Sequence, residues 1–334
     1  MRLLGGIIAA VLAAAPMQAW AWGATGHRIV GVVGTEALPA DLPAFLRAPG
    51  VAAEIGELAR EPDRSKSAGK IHDADRDPAH FIDVDDAGLV MGGPALDAMP
   101  PTRAAYEKAL GAVGSDSWQA GYLYYSLVDG WQQLAKDFAY WRALTAAERL
   151  AADPRRKAWF TADRERRERL LIRDLGAFAH FVGDAGQPLH VSVHFNGWGP
   201  YPNPEGYTTA RIHLPLEGQF VKENTTLEAV REKVSAPYVC DCAIETRTAR
   251  FLLGTQALVP TLYQLEKEGH FVPGDARGRD FQELALAGAA GELRDLIVEA
   301  WRASAEMTVG WPETPIRDIE AGKLDPYDIL YGID

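Results

Sequence analysis

The chain has 334 residues, 47% hydrophobic and 24% charged, an ordinary globular usage that excludes a disordered or fibrous protein. The 46 acidic side chains outnumber the 34 basic ones, for a formal net charge of -12. That balance excludes the broad basic surface most nucleic-acid binders carry, so any anionic substrate must be attracted locally. With two cysteines, a disulfide-rich scaffold is excluded as well.

At the N-terminus, Arg2 precedes the apolar run Leu3 to Ala15, and small residues at Ala19 and Ala21 follow with the spacing of a cleavage site. The pattern predicts a signal peptide over 1–21 and a secreted or periplasmic mature chain over 22–334. The apolar run is too short to span a bilayer, and no later stretch is long and apolar enough to do so.

Beyond that segment the sequence predicts one mostly α-helical domain. Apolar residues recur every three or four positions over 103–111, 117–144, 163–185, 225–234, 243–266 and 278–308. The second of these carries Trp118, Tyr122, Tyr124, Tyr125, Trp131, Phe138, Tyr140 and Trp141, an aromatic stripe expected in the core. A short stretch near 81–84 alternates as a strand does. The Gly- and Pro-rich stretches 86–102 and 196–209 read as loops. Trp198, Tyr201 and Tyr207 make the second a candidate binding loop. In Cys240-Asp-Cys242 a disulfide is possible but strained, because neighbouring Cα atoms sit poorly for it, and a structural or weakly redox-active role is expected.

Histidines and acids fall at telling intervals. His180 and Asp184 stand four apart on one face of an apolar helix, and Gln187-Pro188 ends that helix just before His190. Imidazole and carboxylate are the ligands zinc takes when no thiolate is present. Taken alone, His180 and Asp184 read equally well as a satisfied buried ion pair. His213 and Glu217 repeat the spacing, with Pro215 placing both near a helix entrance. Upstream, His80 stands between Asp77 and Asp83 on a run expected to be extended, and Asp63 lies among Glu61, Arg64 and Lys66. Cleavage after Ala21 would free the α-amine of Trp22, whose nitrogen and carbonyl oxygen can chelate a metal. Gly23 and Gly26 would let His27 reach the same ion. His72, His194 and His270 have no such setting, and Asn224-Thr-Thr is a formal glycosylation sequon.

The stretch His180-Phe-Val-Gly-Asp184-Ala-Gly-Gln-Pro-Leu-His190 resembles the H-F-x-G-D-x-x-Q-P-L-H signature of the S1/P1 nuclease family, within the superfamily shared with bacterial zinc-dependent phospholipase C. The resemblance implies a largely α-helical fold of the phospholipase C/P1 nuclease type and three Zn2+ ions. It assigns Trp22 and His27 to one ion together with Asp184. Asp63, His80 and His180 go to a second, with Asp184 bridging, and His190, His213 and Glu217 go to a third. Phe81 and Asp83 match family positions that stack on and hydrogen-bond a base.

Three departures accompany the match. Glu217 stands where the nucleases carry Asp and the phospholipases Glu, whereas the spacings to His27 and His213 follow the nucleases. Asp63 sits in Glu-Pro-Asp rather than Trp-Ala-Asp. Lys66 replaces the arginine that steadies phosphate, supplying charge without a bidentate fork, for which Arg64 is expected to substitute in part. The implied activity is metal-assisted phosphodiester hydrolysis of single-stranded DNA and RNA to 5′-phosphates, with 3′-nucleotidase activity as a companion. Asp63, Asp184 and Lys66 are the candidate catalytic residues. The partner is then a single-stranded nucleic acid or nucleotide, with no stable protein partner implied. A zinc-dependent phospholipase C on the same scaffold is the alternative, and a non-catalytic metal-stabilised binding protein the second.

Overall fold

The computed structural model describes residues 22–332, so the cleavable segment expected over 1–21 lies outside the described residues. Within them the chain is mainly helical, as its spacing predicts. It opens with α1 (Ala24–Glu36), α2 (Val51–Leu58), α3 (Glu61–Arg64) and α4 (Lys70–Arg76). Neither α1 nor α2 lies in a segment expected to be helical, although Ile29, Val30 and Val33 on one and Val51, Ile55 and Leu58 on the other stand at helical intervals. A Cβ on Gly31 would stand 2.9 Å from the Cα of Gly56, so the two backbones touch directly.

Next comes α5 (Arg103–Ala112), capped by the Thr102 hydroxyl, which accepts from the Ala105 N–H. The helix expected over 117–144 is two, α6 (Ser117–Ala120) and α7 (Leu123–Leu150). The break falls at Gly121, whose φ of +70° and close approach to the Phe81 carbonyl exclude a side chain. Trp118 lies on the α6 side of this break and is 43% exposed, against the expectation for the aromatic stripe. Tyr122, Tyr124, Tyr125 and Phe138 are buried as expected.

The helix α8 (Pro154–Ala185) starts well before residue 163, because the Asp153 carboxylate accepts from the Arg155 N–H and Pro154 presets the first turn. After α9 (Val221–Asn224) and α10 (Leu227–Lys233), the segment expected as one helix over 243–266 divides into α11 (Ile244–Gln256) and α12 (Val259–Lys267). Pro260 sits in the first turn of α12, where its missing N–H is tolerated. The last long helix, α13 (Ala276–Ala303), ends before 308, where the chain extends into β1 (Thr308–Val309). That strand pairs antiparallel with β2 (Thr314–Pro315), and α14 (Ile316–Glu320) and α15 (Tyr327–Tyr331) follow.

The long helices α7 and α8 pack along each other, and α1 packs on α2, α8 and α13. Their shared core holds Val30, Leu123, Phe138, Leu175, Phe178 and Leu293. The stretch near 81–84 makes isolated pairings, Ile82 with Gly121 and Val84 with Val90, rather than a strand of a sheet. The loop 196–209 turns its tryptophan inward. Trp198 stacks on the His194 ring at 3.7 Å and joins a second core with Leu189, Ile212, Leu262 and Tyr263. For that residue packing replaces the expected binding role.

The sequon is also engaged in structure: Asn224 Nδ2 donates to the Phe220 carbonyl and its Oδ1 accepts from the Gly274 N–H. Cys240 and Cys242 are joined, with Cα atoms 5.1 Å apart, inside the ordinary range for a disulfide and against the expectation of poor geometry.

Candidate metal centre

Asp184 lies in the last turn of α8, four residues after His180, so both side chains leave the same face. The chain then folds back sharply: the Gln187 side chain accepts from the Leu189 N–H, and His190 returns toward His80. His190 Nδ1 donates to the His80 carbonyl at 2.7 Å, while the Ile82 N–H donates to the His190 carbonyl at 2.9 Å. His80 itself ends a helical turn over Asp77–His80 and not the extended run expected there, and the extended backbone begins only at Phe81. Asp63 comes from α3 and His27 from the start of α1. His213 and Glu217 flank Pro215 at the entrance of a wide helical turn, as its position predicts.

These residues converge on three groups that could each hold a metal ion, with donor atoms within 4.8 Å of one another. In the first, His80 Nδ1 and His180 Nε2 stand 2.8 Å apart, and Asp63 Oδ1 lies 3.8 Å from the former and 3.9 Å from the latter. Asp184 Oδ2 approaches the same two nitrogens at 3.1 and 3.2 Å.

His27, His180 and Asp184 form the second group. His27 Nε2 is 3.6 Å from Asp184 Oδ1, and its ring stacks on His180 at 3.9 Å. Asp184 thus turns one oxygen to each group, as the bridging role requires. In the third, His213 Nε2 stands 3.1 Å from His190 Nε2 and 2.7 Å from Glu217 Oε2.

A carbonyl can only accept, so His180 Nδ1 must donate to Ala59 O at 2.8 Å, and His190 Nδ1 likewise to His80 O. Both bonds leave the Nε2 lone pairs facing the group, the tautomer a metal needs.

Burial pushes the His80 and His213 imidazoles down to about 4, and burial together with His180 lowers His27 well below its ordinary value. At neutral pH these rings are bare bases. Burial alone would raise Asp63 and Asp184, but His180 and Lys66 hold Asp63 at about 2, and His180 and His190 hold Asp184 well below the carboxylate range. Glu217 has less compensation, and burial drives it up to about 8.

The donor set fits divalent cations. Among the described residues, His27 Nδ1 and Nε2, Asp184 Oδ1 and Glu217 Oε1 are buried without a hydrogen-bond partner. Each such orphan costs the fold about 1–3 kcal/mol. A cation bound by nitrogen and oxygen ligands would satisfy the two carboxylate oxygens and the one His27 nitrogen that carries a lone pair.

The remaining expected residues surround this cluster. Trp22 is fully buried, and its indole N–H donates to the Gly183 carbonyl at 2.8 Å, beside Asp184. Lys66 Nζ pairs with Asp63 Oδ1 at 2.6 Å, placing a buried cation at the edge of the first group. Phe81 is half-buried directly after His80. Asp83 is buried with Oδ1 unpaired among the described residues, and burial raises its carboxyl well above the usual range.

His194 belongs to the structure around the site. It reaches the Trp198 carbonyl and the Asp86 carboxylate with its two nitrogens. Sequence spacing did not reveal that His180 faces both of the first two groups, because the His27 ring that stacks on it comes from the far end of the chain. A scan of family models finds no match to this chain, and no curated protein matches it.

Proposed function

We propose that this protein is a zinc-dependent phosphodiesterase, an endonuclease that hydrolyses single-stranded DNA and RNA to 5′-phosphate products and also acts on 3′-nucleotides. In this reading residues 1–21 direct export and are removed, and the freed Trp22 amine joins His27 and Asp184. The observation that carries the reading is the pair of Asp184 oxygens facing two ligand groups while the third group of His190, His213 and Glu217 stands alongside. The side chains that the S1/P1 nuclease resemblance assigns as ligands are, apart from Trp22, the ones that make up these groups.

Bound zinc would activate water and offset phosphate charge, a local attraction that the net charge of -12 conceals. Around it, the protein's own groups orient the substrate. The Ala59 and His80 carbonyls fix the His180 and His190 tautomers. Lys66 offers its ammonium to a phosphate oxygen. Phe81 offers a stacking face, worth about 1–3 kcal/mol per base and indifferent to sequence, which favours unpaired strands. The buried Asp83 carboxyl offers hydrogen bonds to a base edge, as a donor wherever it holds its proton.

Glu217, together with the exposed Leu214 and Phe195 on either side of His213, favours phospholipase C as the second reading. The test is hydrolysis of single-stranded DNA, RNA and phosphatidylcholine vesicles by zinc-loaded protein, with and without EDTA. Cleavage of both nucleic acids to 5′-phosphates, abolished by EDTA and restored by Zn2+, is expected. Hydrolysis of lipid alone transfers the site to the second reading, and metal binding without any hydrolysis removes both.

A further inference from the structure

The loop between α10 and α11 holds the Cys240–Cys242 disulfide, which spans one intervening residue and ties no two elements together. Closing so short a loop restricts the unfolded chain little, so the bond is a weak staple. Other contacts anchor the loop. Arg294 donates to the Ser235 carbonyl at 2.7 Å, the Tyr238 N–H donates to Asp295 at 3.0 Å, and the Cys240 N–H donates to Glu299 at 3.0 Å. With those bonds in place, the loop keeps its position whether or not the sulfurs are joined.

The surroundings suit chemistry at sulfur instead. The flanking residues 235–239 are exposed, and both cysteines are half-buried. The exposed Arg250, on the second half of α11, directs Nη1 at Cys240 Sγ from 3.3 Å and lies 3.9 Å from Cys242 Sγ. A guanidinium beside a sulfur stabilises its thiolate, which makes that sulfur the better leaving group in exchange. The nearer sulfur is that of Cys240.

We propose that Cys240–Cys242 is a thiol–disulfide exchange site that takes electrons from low-molecular-weight thiols, independent of the phosphodiesterase reading. A substrate thiolate attacks Cys242 Sγ, the Cys240–Cys242 bond breaks, and its electron pair stays on Cys240 Sγ beside Arg250. A second thiolate then attacks the substrate sulfur of the mixed disulfide and releases Cys242 as a thiolate. The products are the substrate disulfide and two protein thiols, which take up the two protons lost by the substrate thiols. The protein is reduced by two electrons and the thiol pair oxidised by two.

The test incubates the folded, zinc-loaded chain with reduced glutathione and follows Cys240 and Cys242 by differential alkylation and mass spectrometry, with circular dichroism in parallel. The pair is expected to be reduced in millimolar glutathione while the helical signal is unchanged. In Arg250→Leu the reduction should slow about three- to tenfold, as a Brønsted slope near 0.5 gives for a leaving thiol whose pKa rises by about one to two. Arg250→Lys should keep the native rate. In the reduced protein, ultraviolet thiolate absorbance should titrate at higher pH in the leucine variant than in the native chain. Reduction that requires urea, loss of helical signal on reduction, or equal rates for the native chain and Arg250→Leu would each overturn the proposal.

Discussion

Glu217 gives the sharpest test of the centre, because its buried carboxyl should oppose folding without metal and support it with metal. In the metal-free chain burial raises this carboxyl from 4.5 to about 8. A carboxyl raised in the folded state is ionised first in the unfolded chain, so stability falls as pH climbs from about 4.5 to about 8 and is flat above. At about 1.4 kcal/mol per pH unit, the loss is roughly 3 kcal/mol by pH 7 and roughly 5 kcal/mol by pH 9. Glu217→Gln keeps the shape and removes the ionisation. Urea unfolding of chelated protein should show variant and native chain equal near pH 4.5, with the variant progressively more stable above it. Added Zn2+ should reverse the order, because the amide is a poor metal ligand and the native carboxylate is satisfied by the ion. A stability difference that does not change with pH in the chelated proteins would refute the reasoning.

Asp184→Asn removes a carboxylate that faces two groups, so metal analysis should show at least two ions lost and phosphodiesterase activity reduced by about a hundredfold or more. Gly183→Ala would place a Cβ 3.1 Å from His27 Nδ1. It should lower occupancy of the His27 group alone, read as a fractional loss of metal in a chain whose circular dichroism is native. Lys66→Met should raise KM for nucleic acid about tenfold or more with metal content preserved, and Lys66→Arg should recover most of it; an unchanged KM removes Lys66 from substrate binding. One extra residue left before Trp22 should reduce metal content by one ion per chain, and full content in that form would exclude the amine as a ligand.

What the sequence discloses and what it conceals divide by distance along the chain. His180 with Asp184 and His213 with Glu217 are legible because each pair lies four residues apart on a helical turn, where spacing dictates a shared face. Lys66 and Asp63, three apart, are legible on the same ground. The meeting of His80 with His180 and the bond from His190 to the His80 carbonyl span 100 and 110 residues, and no local rule predicts them. The S1/P1 nuclease resemblance supplied that grouping where periodicity could not. The helices α1 and α2 were legible and passed over, for Val51, Ile55 and Leu58 recur at helical intervals; what their sequence conceals is the backbone contact of Gly31 with Gly56. Trp198 misled by its surroundings in sequence. A tryptophan in a Gly- and Pro-rich loop signals binding by composition, yet its ring had a histidine to stack on and a core to close.

The centre also bears on how the chain folds. Its ligands come from α1, α3, the turn at His80, the end of α8, His190 and the turn at Glu217, so most of the chain must be in place before any group is complete. Asp184 and Glu217 are buried there beside the half-buried Asp63, with Lys66 as the ammonium paired to Asp63. Lys66 can compensate Asp63, which stays ionised down to about 2, but burial outweighs what His190 offers Glu217, which holds its proton to about 8. The Asp63 and Asp184 carboxylates are therefore ionised before any cation arrives, although Asp184 and Asp63 raise the His180 imidazole between them, whereas the Glu217 carboxyl must first surrender a proton. Cation uptake by the third group should then weaken as pH falls below about 8, while the first two keep their carboxylates ionised into acid. Since a cation that binds the folded chain alone stabilises it in proportion to the logarithm of its concentration, that order makes the third group the pH-sensitive share of the metal's contribution to stability.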